Sequence, residues 1–369
     1  MLKPSSKLIN IKMLVGDLEF KRNNDATSIA LMSYSDVNNT ELMPELSKLL
    51  KTIFNLQECG FFWSDAAGNF LDAWCTAPQF LKFDTLVSCA QFQASHNRAW
   101  PTFTENVLVG PICGYLLPFQ NERFYASEHY ASVYEPMGVK HLLDLVIHDG
   151  TRPHGSFLMM RNAKQGSFTP DERNFLSKLI PTINAAFLKK DTNLPTLQSD
   201  YYHTGFAVIS AQGELRMMDA KAAGITWALA FDKPGAFANP ATPKLTAHLS
   251  QIFAPYLKSA IRGETPSWVV KNRWGQFNMQ FELMYESTDF VLKLSKNTPM
   301  HTLLIAKLHQ YKLPPMRQMV AWLLLLNNSR QQIADALGIT LETAISHIKT
   351  LYRETDTQSS HGLLLKLMG

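Results

Sequence analysis

The polar residues with the most regular spacing lie near the C-terminus, in Leu341-Glu-Thr-Ala-Ile-Ser-His-Ile-Lys-Thr-Leu-Tyr-Arg353. On a helix of this sequence Ile345, Ser346, Lys349 and Arg353 share an outer stripe, with Glu342 and Thr343 at its start. Short polar and cationic side chains in that order can bond base edges and neutralise phosphates, the chemistry of a helix laid in the major groove. The elements that must position it are legible on either side. A helix opens at Pro315 and runs to Leu326, closed by Asn327-Asn328, and a second follows the N-cap Ser329. Gly338 supplies a positive-φ turn, Thr340 caps the helix 341–353, and a short last helix starts near Ser359-Ser360. Ile333, Leu337, Ile339, Ala344, Ile348 and Leu351 face inward, and Ala334 is small where the second and third helices cross. The pattern is a helix-turn-helix.

Segment 313–368 resembles the LuxR-type helix-turn-helix. The likeness rests on Leu313, Ile333-Ala334, Leu337-Gly338-Ile339, Thr343 and His347. That resemblance implies that Ile345, Ser346 and Lys349 face base edges, that Thr343 and His347 support or touch the backbone, and that Arg353 meets phosphate. Two departures matter. Where the family opens Leu-Thr-x-Arg-Glu, this chain has Leu313-Pro-Pro-Met-Arg, so the acid that ties the helices is missing. Ile345 stands where Lys is common.

Other groups could carry chemistry. Phe62, Trp63, Trp74 and Trp100, with Phe61 and Phe103, could wall a pocket for a small planar or apolar ligand, or simply pack a core. His141, Asp144, His148, Asp149 and His154 admit a metal reading, but their spacing puts no ligand set on one face. Satisfied strand-end histidines and a turn aspartate fit them better, and no metal or cofactor is expected. The four cysteines, Cys59, Cys75, Cys89 and Cys113, contain no CxxC pair and read as small buried hydrophobes, with a thiol sensor as the alternative. No GxSxG, P-loop, Rossmann fingerprint or HExxH is present, so an enzyme is not expected.

Composition sets the frame. With 369 residues, 46% hydrophobic and 18% charged, the chain can bury more than one core. Of its net charge of +4, +3 falls from His301 onward, a weak bias toward an anionic partner. No signal peptide or membrane span is visible, which places the chain in the cytoplasm as an expectation.

Three blocks follow. Residues 1–190 hold a helix at Glu41–Phe54, strands near 59–74, 142–148 and 155–161, and a helix capped by Thr169 with Pro170 first. After a polar seam, 201–300 reads as strand-strand-helices-strand-strand-strand, an α+β module with one antiparallel sheet. Both blocks resemble GAF and PAS sensor domains, the first through Tyr134-Glu-Pro-Met-Gly-Val-Lys-His and Phe168-Thr-Pro-Asp-Glu-Arg. The expected fold class is α+β: two sensor domains, then an all-α four-helix domain at 313–369. The expected protein is a homodimeric, signal-responsive regulator of double-stranded DNA, with a small molecule or a protein as its signal. The alternative is a signalling or scaffold protein whose tail binds protein.

Overall fold

The computed structural model describes residues 23–76, 100–188, 198–230, 232–233, 245–264 and 267–369. Cys89 and the seam at 189–197 lie outside them. The fold is mixed α/β, with two antiparallel sheets and a C-terminal helical region. The chain divides into two compact units. One combines the described residues within 1–42 and 181–197 with 299–369, and the other holds 43–180 and 198–298.

The sheet-bearing unit begins with helix α2 (Asn39–Ile53), which α1 (Asn23–Tyr34) precedes. The spacing that predicts a helix over 41–54 buries Leu42, Leu46, Leu49 and Leu50. Asn38 caps it, accepting from Glu41 N at 2.9 Å while donating to the Glu41 carboxylate at 2.7 Å. Strands β1 (Glu58–Ser64) and β2 (Phe70–Cys75) form a hairpin, its turn set by Asp65 Oδ1 accepting from the backbone of Ala67 and Asn69. After the short helices α3 (Phe103–Leu108) and α4 (Glu122–Tyr125), β3 (Val139–His148) and β4 (Pro153–Asn162) complete the order β2-β1-β4-β3.

Strand β3 is the edge of this sheet, and the preceding loop covers it. Ile112 O accepts from Val146 N, Gly114 N donates to Asp144 O, and the Gln120 side chain exchanges two hydrogen bonds with the Leu142 backbone. Bare edge groups are thereby paired without another strand. Helix α5 (Pro170–Asn184) starts at the expected cap: Thr169 Oγ1 accepts from Glu172 N, and Glu172 reaches back to Thr169 N. Glu172 also binds Arg161 of β4 at 2.7 Å, and Arg161 donates to Phe54 O, so one cation joins α2, β4 and α5.

The second sheet runs β5 (Gln198–Ile209), β6 (Leu215–Met218), β7 (Ser267–Asn272), β8 (Gly275–Leu283) and β9 (Phe290–Pro299), in spatial order β6-β5-β9-β8-β7. Helices α6 (Ala220–Ala230) and α7 (Leu245–Ile261) separate its first two strands from the rest. Along β8, Phe277, Met279 and Phe281 are buried while Gln276, Asn278 and Gln280 are half-buried, the period-2 pattern of a one-sided sheet. Gly205 lies so close to α6 that a Cβ there would come within 2.1 Å of Ala222 N.

In the other unit, α8 (Met300–Gln310), α9 (Pro315–Leu325), α10 (Arg330–Leu337), α11 (Leu341–Glu354) and α12 (Ser360–Met368) pack with α1. Every residue of α1 from Ala26 to Ser33 is buried. Its contacts are with α8 and α9, an association that nothing in the sequence reading foresaw. Among the described residues no helix is long and apolar enough to cross a membrane.

Candidate nucleic-acid interface

Helix α10 starts with a full capping box, Ser329 Oγ accepting from Gln332 N and Gln332 Oε1 from Ser329 N. It ends at Gly338 with φ 60°, a left-handed position where glycine avoids the Cβ clash. Two residues later Thr340 caps α11, accepting from Thr343 N at 3.2 Å, with the two threonine hydroxyls 3.0 Å apart. The caps and the turn fix the angle at which α11 leaves α10.

Behind α11, Ile333, Ala334, Leu337, Ala344, Ile348 and Leu351 are at most 4% exposed, while Ile339 is half-buried. The opposite side of α11 presents Glu342, Thr343, Ser346, Lys349 and Arg353 as exposed residues; Ile345 and His347 are half-buried. All six residues singled out as DNA-facing therefore sit on one helix with some or all of their surface in solvent. Helix α9 packs on α11, and Arg317 Nε lies 2.8 Å from Glu354 Oε2. This ion pair ties α9 to α11, with the cation on α9 and the acid at the end of α11. Sequence reasoning missed it because the partners are 37 residues apart and no local spacing pairs Arg317 with Glu354.

The four aromatics proposed as a pocket fall into three groups by ring partner. Trp63 and Trp74 lie on β1 and β2 and meet Trp274, at 5.5 and 6.1 Å; Trp227 of α6 stands 5.1 Å from Trp274. Phe62 points to the other side of β1 and meets Phe70 at 6.3 Å, and Phe70 meets Phe103. Trp100 packs on Phe124 and His129 at 4.6 and 5.6 Å. Burial alone lowers the His129 pKa to about 4, which keeps that ring neutral.

The tryptophan cluster carries charge. Arg273 sits over Trp274 and forms a bidentate pair with buried Asp72, and the Lys296 ammonium is 4.9 Å above the Trp74 ring. The Trp274 signal was present as a large aromatic in the turn Asn272-Arg-Trp-Gly275, where Asn272 Oδ1 accepts from Trp274 N.

Four members of the histidine–aspartate constellation, Asp144, His148, Asp149 and His154, bond within turns and along the edge of β3. Asp149 Oδ1 accepts from Thr151 N and Arg152 N, its Oδ2 lies 3.1 Å from His154 Nε2, and Gly150 N donates to His148 Nδ1. These bonds, led by the Thr151 hydroxyl, hold the Asp149 carboxyl well below the usual carboxylate range. Asp144 Oδ1 accepts from Leu116 N at 2.7 Å inside the loop that covers β3. Among the described residues no three metal-ligating side chains converge. Burial pushes the Cys59 thiol far up and the Cys113 thiol up to about 12, which favours the protonated thiol at neutral pH.

No family model matches the chain, and no curated protein does. Among solved structures the chain is similar to an extracellular ligand binding receptor from Desulfohalobium retbaense DSM5692. The identity is 11% and the TM-score 0.15, over 79% of this chain and 39% of that one. A likeness this faint carries no conclusion about fold or function.

Proposed function

We propose that the chain is a sequence-specific DNA-binding transcription regulator of the signal-responsive, one-component kind, with α11 as the helix that reads the major groove. The observation that supports it is the two-sided character of α11. Its inner face is buried against α9 and α10, while Ser346, Lys349 and Arg353 stand exposed beyond a capped, left-handed turn. The LuxR-type reading of 313–369 fits these caps. GAF-like and PAS-like readings of 1–190 and 201–300 fit the two antiparallel sheets, the second with helices between its second and third strands. As a reader of near-palindromic sites the protein works as a homodimer in the cytoplasm, and the sheet-bearing blocks receive a small molecule or a protein.

The test is a salt series on the full chain with duplex DNA selected from random sequence. A DNA reader loses affinity log-linearly as salt rises, and the Lys349→Ala and Arg353→Ala variants show a shallower slope. No salt-sensitive binding to any selected duplex overturns the reading. The second reading is a scaffold whose tail binds protein. It draws on the half-buried apolar Ile345 within the stripe and on a local net charge of only +3.

A further inference from the structure

Helix α1 lies at the other end of the sequence from the helix-turn-helix, yet it is buried in the same unit. Ser28 Oγ, 1% exposed as a residue, donates to Gln318 Oε1 of α9 at 3.1 Å and lies 3.0 Å from His309 Nδ1 of α8. Asn24 Nδ2 donates to Lys312 O, between those two helices, at 3.0 Å, and Gln318 Nε2 donates to Leu313 O at 2.8 Å. On the far side of His309, Asp25 Oδ1 is 3.8 Å from Nε2. A buried polar node of this kind fixes one register of α1 on its partners, because any slide strands several groups in an apolar setting.

The neighbour of Gln318 is Arg317. One residue of α9 is bound to α1 and the next to Glu354, the last residue of α11. The stretch of chain that follows α1 enters the sheet-bearing unit at residue 43, and that unit returns the chain at residue 298, immediately before α8. Of the three helices that meet at the Ser28 node, α1 and α8 are therefore continuous in sequence with the sheet-bearing unit.

We propose that α1 is a built-in effector of the DNA-reading helix: its register on α8 and α9, set at Ser28, fixes the position of α11 through Gln318, Arg317 and Glu354. The proposal rests on the reading of α11 given above and names the route by which that reading is regulated.

The experiment uses the full chain carrying Ser28→Ala, with Asn24→Ala as a milder variant that retains the buried node. Amide hydrogen exchange is followed in every element, and affinity is measured for a mixed-sequence duplex at low salt. Exchange about tenfold faster in α9 and in the last turn of α11, with the sheets unchanged, is the expected result. A change in duplex affinity of about fivefold accompanies it. Faster exchange confined to α1 overturns the proposal, as does unchanged exchange in both variants. Faster exchange in α9 and α11 in a protein that binds no duplex upholds the relay and removes the DNA reading instead.

Discussion

Arg273 grips Asp72 with both arms of its guanidinium, Nη1 to Oδ2 at 2.9 Å and Nη2 to Oδ1 at 2.8 Å, across 201 residues of sequence. The pair joins a strand of the first sheet to the β7–β8 turn of the second. Asp72 is 1% exposed, so its charge has little water to rely on if the guanidinium leaves. Removing one partner of such a pair costs far more than the pair contributes, because the remaining charge is buried uncompensated. Arg273→Met should therefore lower stability by about 3 kcal/mol in urea titrations, and adding Asp72→Asn should recover part of that loss. A single variant within about 0.5 kcal/mol of wild type would show that the pair is not holding the sheets.

Stability should also depend on the proton of Asp144. Its Oδ2 has no hydrogen-bond partner among the described residues, and burial raises its pKa from 3.8 to about 6. The folded chain then holds this proton more tightly than the unfolded chain does. Stability from this group grows as pH falls from about 6 toward 3.8 and is lost as pH rises through about 6. Asp144→Asn keeps an acceptor for Leu116 N–H and does not titrate. The difference between the two proteins' unfolding free energies, measured across that window, should slope; parallel curves would exclude Asp144 as the titrating group.

Gly205 makes a steric prediction. Its φ is not in the left-handed region, so the cost of a side chain there comes from contact alone, with a Cβ 2.1 Å from Ala222 N. Backbone cannot move aside as a flexible side chain can. Gly205→Ala should destabilise the unit by about 3 kcal/mol and separate α6 from β5, read as faster exchange in both. Wild-type melting would mean that α6 does not approach so closely.

If α11 reads a DNA groove, as proposed, single cations should matter. Lys349→Ala is expected to weaken duplex binding by about 1–3 kcal/mol and to relax sequence preference at one base step. The exposed Lys366, which pairs with Asp356 outside α11, serves as the control. If Lys349→Ala and Lys366→Ala weaken binding equally and without loss of sequence preference, Lys349 contributes charge and not recognition.

The two ends of the molecule differ in how much of them could be read in advance. Ser329, Gln332, Gly338 and Thr340 act on backbone groups within a few residues, so local sequence was enough to place α10 and α11. Thr169 and Glu172 did the same for α5. Helix α1 offered no such signal. Its Ala, Thr and Ser residues form no amphipathic stripe, because partners surround it, and those partners come from the far end of the sequence. The pocket aromatics show a second limit. Adjacent Phe62 and Trp63 go to opposite faces of β1, as strand alternation requires, but only the register Phe61↔Trp74 and Trp63↔Asp72 shows which residues of β2 share the face of Trp63. Gln120 shows a third: a side chain standing in for a strand along β3 looks, in sequence, like any loop glutamine.

The burial of α1 against α8 and α9 has a consequence for synthesis. Ser28 leaves the ribosome 281 residues before His309 and 290 before Gln318. Until then α1 lacks α8 and α9, the helices it packs on, and the sheet-bearing unit can be completed first. Closing the unit that holds α1 thus waits until α8 and α9 have been made. A truncated product that ends before residue 300 carries α1 with neither of these helices, and should present the residues that the full unit buries to chaperones and proteases.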